Sequence, residues 1–103
     1  MYTLGVISMS LDIRLYSDNK LMILRFDKRL DFSITREVCS VCERLTPGVK
    51  LCILDLREVE RVFDSGVALM SMLCKRLRQL GAEISFRGMH PELQRHMSYI
   101  LPA

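Results

Sequence analysis

The 103-residue chain has no tryptophan, three prolines, two histidines and no apolar run longer than a few residues. The short runs exclude a membrane-spanning helix, which needs about 20 consecutive apolar residues. The motifs H-E-x-x-H, G-x-S-x-G and G-x-x-x-x-G-K-[ST] are absent, which removes the common zinc peptidase, α/β-hydrolase and P-loop readings. His90 and His96 both lie in the last segment, so a Ser-His-Asp arrangement would have to bring Ser65 to one of them. Charge of one sign is also scarce. The net charge is +3 and aromatic residues make up 7%, short of the basic, aromatic-studded surface that stacks on nucleic-acid bases.

What is present describes one globular domain over residues 1–103, with 1–8 as a short extension. Hydrophobic residues make up 50% and charged residues 26%, a balance that excludes a disordered chain. A chain of this mass folds to roughly 6,000 Å² of exposed surface, enough for one core and too little for two. Met1 to Ile7 has no basic leader, and Met9 is an alternative start. We therefore expect a cytoplasmic protein whose four cysteines are reduced, mostly buried apolar residues.

Hydrophobic periodicity sets the element order. Leu11, Ile13 and Leu15 alternate with Asp12, Arg14 and Tyr16, which predicts a half-buried strand over 10–17. Asp18-Asn19 reads as a two-residue turn into a second strand over 20–27, giving an antiparallel hairpin. Residues 28–31 read as a polar linker, and Ser33 as the N-cap of a helix carrying Ile34, Val38, Val41 and Leu45. The run 49–56 predicts a strand buried on both faces. Val67, Met70, Leu73, Leu77 and Leu80 mark a long helix that starts at Asp64 and stops at Gly81. A last strand spans 82–87, and Pro91 opens a final helix reaching His96 and Tyr99. The order β-β-α-β-α-β-α implies an α/β domain: a small mixed sheet with parallel crossovers and its helices largely on one face.

Two candidate sites reduce to packing. Cys39 and Cys42 form C-x-x-C, but mid-helix, away from the helix N-terminus that would lower a thiol pKa. A zinc site drawing on His90 and His96 has loose spacing and no second C-x-x-C. No catalytic residue, metal ligand or cofactor is expected.

The segment from Leu51 to Gly66 is more informative. An apolar strand ends at Asp55, a loop follows, and Asp64-Ser65-Gly66 opens the long helix. Asp64 or Ser65 is expected to cap that helix, and a phosphate on Ser65 would sit at its positive end.

The run Ile53-Leu54-Asp55-Leu56, then Val59, then Asp64-Ser65-Gly66-Val67-Ala68-Leu69-Met70 resembles the signature of the STAS domain. That pattern is a strand ending D-L, a loop of some seven residues, and D-S-[ST/A]-G-L-x-x-L. Leu30-Asp31-Phe32, the stretch from Leu80 to Phe86, and Met89-His90-Pro91-Glu92 extend the similarity over nearly the whole chain. Counted without gaps from Asp55, Phe63 falls on the motif's aspartate and Asp64 on its phosphorylatable serine. In the shifted register, Asp64-Ser65 is the motif's D-S and Ser65 is the candidate phosphosite. The gap-free count is preferred, because a deletion would rotate Ser65 by about 100° relative to Val67 and Met70. Lys28 also departs from the family, which often has glycine there.

The resemblance implies a bacterial regulatory binding module rather than an enzyme. Such a module resembles an anti-sigma factor antagonist that docks on a serine-kinase-type anti-sigma factor, with a phosphatase as a further partner. The docking face carried over comprises Arg29, Asp31, Phe63, Asp64, Ser65, Gly66, Val67 and Met70, with Phe63 and Met70 as its apolar anchor. The alternative implied by the same family is a cytoplasmic subunit bound to the ATPase of an ABC-type lipid transporter. Neither reading involves nucleic acid, a cofactor or insertion into the membrane, and both leave the oligomeric state open.

Overall fold

A computed structural model describes residues 11–97. The first two strands, β1 (Leu11–Tyr16) and β2 (Leu21–Phe26), form the antiparallel hairpin in a register that pairs Tyr16 with Leu21. The loop holds four residues rather than two. Ser17, Asp18 and Asn19 all take positive φ, and the Lys20 N–H closes the loop on the Ser17 carbonyl at 3.1 Å. Asx side chains tolerate the left-handed region, so Asp18-Asn19 marks the turn but does not set its length.

After the hairpin come β3 (Arg29–Leu30), a 3₁₀ turn (Phe32–Ile34) and α1 (Thr35–Arg44). They are followed by β4 (Leu51–Asp55), β5 (Arg61–Val62), α2 (Asp64–Gln79), β6 (Glu83–Arg87) and α3 (Pro91–Met97). The main sheet is ordered β1-β2-β4-β6, with β2, β4 and β6 parallel, as the strand–helix alternation predicts. The predicted linker at 28–31 is not one. Arg29 and Leu30 pair in parallel with Arg61 and Val62 as a separate two-stranded sheet. Two residues are too few to leave a periodic signal.

The core lies on one face of the main sheet. Met22, Leu24 and Phe26 of β2 and Cys52 and Leu54 of β4 are at most 5% exposed. Against them pack Val38 and Val41 of α1 and Met70, Leu73, Cys74 and Leu77 of α2. Gly81 ends α2 at φ +83, with its N–H on the Arg78 carbonyl and the Ala82 N–H on that of Leu77. This is a Schellman closure, which places Gly81 in the C′ position read from sequence. The helix starts differ from expectation. Ile34, not Ser33, precedes α1, and Asp31 caps the 3₁₀ turn by accepting the Ser33 N–H at 2.9 Å. The last helix is present from Pro91; Tyr99 lies outside the described residues.

Candidate functional site

The loop between β4 and α2 is fixed at both ends. At its start, Arg57 grips the Asp55 carboxylate in a bidentate pair, Nε to Oδ1 at 2.9 Å and Nη2 to Oδ2 at 2.8 Å, while Leu56 and Val59 are buried. At its end, the Glu60 and Arg61 N–H groups donate to the Lys28 carbonyl and the Phe63 N–H to the Leu30 carbonyl. These bonds lay the start of α2 against β3, which joins two stretches distant in sequence at one end of the molecule.

Phe63 occupies the N-cap of α2 with extended backbone and no side-chain cap bond. The capping role expected of Asp64 or Ser65 is therefore not played: both lie inside the first turn, where Asp64 still complements the positive helix end. Asp64 is exposed, whereas Ser65 and Val67 are half-buried. Gly66 is buried against β3, and a Cβ there would overlap the Leu30 carbonyl and reach to 2.8 Å of Leu30 Cγ.

Arg29 reaches across this junction, its guanidinium 5.2 Å from the centre of the Phe63 ring and 3.1 Å from Asp31 Oδ2. Asp31 is buried and also accepts the Ser33 hydroxyl at 2.6 Å. Hydrogen bonds from the Ser33 side chain and backbone, aided by Arg29, hold its carboxyl below the ordinary carboxylate range. Asp31 thus lies beneath the expected docking face, supporting Arg29 and the 3₁₀ turn, and is not part of its exposed surface. Met70 is likewise corrected: at 1% exposed it belongs to the core and cannot anchor a partner. The sequence reading missed Phe32, which is 73% exposed on the 3₁₀ turn beside β3. The signal available was its place in Leu30-Asp31-Phe32, a large apolar side chain directly after a capping aspartate.

Among the described residues no group of three or more His, Cys, Asp or Glu could hold a metal ion. His90 Nδ1 accepts the Glu92 N–H at 3.2 Å at the start of α3. The cysteines are free, and burial pushes the Cys52 and Cys74 thiols up to about 12 and about 11. No helix among the described residues is long and apolar enough to cross a membrane.

The Asp55 clamp carries a pH dependence. Hydrogen bonds from Arg57 lower the Asp55 carboxyl from its ordinary value. The unfolded chain then takes up its proton first, so this contribution is full above about pH 4 and is lost as pH falls through the lower folded value. Asp55→Asn is expected to cost about 1–2 kcal/mol at neutral pH, reduced by the exposure of Arg57, and to flatten the acid limb of stability. Urea unfolding from pH 7 to pH 3 tests this, and equal slopes below pH 4 in both proteins would refute it. Asp31, lowered in the same direction, contributes to the slope that remains.

The STAS domain family profile matches residues 12–100. The chain belongs to the STAS domain family. Solved relatives share the fold of this STAS domain at low identity. The anti-sigma factor antagonist SpoIIAA in its unphosphorylated form is 13% identical with a TM-score of 0.66, over 91% of this chain and 89% of that one. The STAS domain of an antisigma-factor antagonist from Rhodobacter sphaeroides is 20% identical with a TM-score of 0.60, over 78% and 86%. The protein Mglu is 18% identical with a TM-score of 0.68, and the 85% of this STAS domain that aligns spans only 23% of that chain. No curated protein sequence matches the chain.

Proposed function

We propose that this STAS domain is a regulatory binding module that docks on a serine-kinase-type anti-sigma factor through the surface at the start of α2. The observation that carries the reading is the junction itself: Phe32 and Phe63 stand exposed at the meeting of β3 and α2, with Arg29 packed on the Phe63 ring. Exposed aromatics beside an arginine have the composition of an interface anchor, and a monomer gains nothing by leaving them in water. STAS domains are in general binding modules and not enzymes, and two solved relatives bear the name of anti-sigma factor antagonists.

The gap-free register suits this surface. Phe63 stands three residues before the glycine pinned against Leu30, the spacing of the family's aspartate, which leaves Asp64 on the phosphorylatable serine. Asp64 then supplies one permanent negative charge, weaker than the near-double charge of a phosphoserine. Asp64→Ser is expected to create a site that the cognate kinase phosphorylates, read as a mass gain on the peptide containing residue 64. Phosphate on Ser65 of the wild-type protein would instead establish the shifted register.

Affinity capture from the host lysate, with wild-type protein and Val67→Glu side by side, tests the docking. Recovery of a serine-kinase-type ATPase by the wild type alone supports the reading, and equal recovery by both removes this surface from it. A second reading draws on the murine anion transporter Slc26a9, 20% identical with a TM-score of 0.60, in which this fold makes up 14% of the chain. That likeness favours a module serving a transporter, and recovery of an ABC ATPase and permease would select it.

A further inference from the structure

The sheet face turned away from the helices carries a second surface. Leu21 and Ile23 of β2 lie directly opposite Leu51 and Ile53 of β4, and all four are half-buried, whereas their neighbours on the helix face are almost fully covered. These side chains form a two-by-two aliphatic block at the sheet centre, on which no described helix packs. The edge strands flank the block with polar groups. On β1 the same face presents Asp12, Arg14 and Tyr16, and on β6 it presents Arg87, Ser85 and Glu83 in the matching rows.

The two edges are complementary to each other. We infer that this face binds a second copy of the chain, turned about a two-fold axis that runs along the strands between β2 and β4. That rotation sets Asp12 over Arg87 of the second copy, Arg14 over Ser85, and Tyr16 over Glu83. In the centre it sets Ile23 over Ile53 and Leu21 over Leu51. No row opposes like charges. In the charged row, Asp55 is already held by Arg57, and Arg25 lies 3.9 Å from Glu58. Asp12 is itself 3.1 Å from Arg14 on its own strand, so Arg87 of the second copy joins an existing Asp12–Arg14 pair and brings a second cation to that carboxylate. Two aligned sheets stack about 10 Å apart with strands within about 30° of each other, which keeps these rows within reach.

The size of the face sets the strength. Four strands about 4.8 Å apart and five residues long offer roughly 300 Å² in projection, so two such faces bury about 600 Å² plus the relief of their side chains. That is below the standard size of a specific interface, so a weak, reversible dimer with a Kd of about 100 μM is expected. The inference is independent of the docking surface at α2, which lies at the sheet's end and not on this face.

Sedimentation equilibrium of the full chain from about 1 μM to about 1 mM tests it. The expected result is a mass rising from 11.9 kDa towards twice that value. Ser85→Arg, at an exposed edge position, sets cations face to face and is expected to weaken the dimer at least about 10-fold. Asp12→Arg alone is expected to do the same, and Asp12→Arg with Arg87→Asp to restore dimerisation. Circular dichroism confirms that each variant is folded; where the swapped pair is not, Ser85→Arg decides. A monomer across the whole range overturns the inference, and so does a dimer indifferent to Ser85→Arg.

Discussion

Gly66→Ala is expected to cost at least about 3 kcal/mol, a large share of the stability of a domain this size. Helix propensity alone predicts the opposite sign, since alanine in place of a helical glycine usually gains up to about 1 kcal/mol. Packing decides against propensity because of what the new methyl group would meet. Its neighbours are the Leu30 carbonyl oxygen and carbon, which are backbone atoms and cannot rotate away. That same carbonyl accepts the Phe63 N–H at 3.0 Å, so moving it breaks the bond that seats the start of α2. Moving the helix instead pulls Met70, Leu73 and Leu77 out of the core. Gly48→Ala is the control: its Cβ would meet only Thr46 Oγ1, at an ordinary 3.4 Å, and a change within about 0.5 kcal/mol is expected. Urea unfolding of both variants separates the accounts, and a Gly66→Ala protein as stable as wild type would refute the close approach.

How far the sequence anticipated this surface depends on the range of each interaction. The hairpin, α2 and the parallel order of β4 and β6 rest on periodicity over five or more residues, and those elements stand where the apolar spacing puts them. The β3–β5 pair rests on hydrogen bonds between stretches some thirty residues apart, each only two residues long. No local pattern carries that information, so Lys28 to Asp31 read as linker. Asp31 and Met70 differ from the sequence expectation for a related reason. An aspartate in a polar stretch looks solvated until its partners, Ser33 and Arg29, are seen to enclose it. A methionine at the helical spacing of Val67 and Leu73 fits an exposed anchor or a core position equally well. Only the direction of the α2 face, set by the sheet beneath, chooses the core. The exposure of Phe32 follows from the 3₁₀ turn, which Asp31 caps and which turns Ile34 inward.

Phe32→Ala is expected to weaken binding of the kinase partner roughly 30-fold or more while leaving the unfolding midpoint unchanged. The two effects separate because of exposure. At 73% exposed, Phe32 contributes little to the fold, yet it offers a large aromatic surface for a partner to cover. Phe63→Ala is expected to lose a similar factor in affinity and also to lower stability slightly. It is 39% exposed and carries the Arg29 guanidinium, a contact worth about 0.5–1 kcal/mol at an open site. Arg29 then keeps its ion pair with Asp31 but loses the ring that aims it. Leu15 provides the contrast: at 47% exposed on the outer strand β1 it is equally apolar and lies away from the α2 junction, so Leu15→Ala is expected to bind as wild type does. Calorimetric titration of each variant against the purified partner, beside its thermal unfolding, reads both quantities. Unchanged affinity in the Phe32 and Phe63 variants would remove the aromatic anchor, whereas equal losses in all three would show that exposed apolar area in general, not this junction, drives the association.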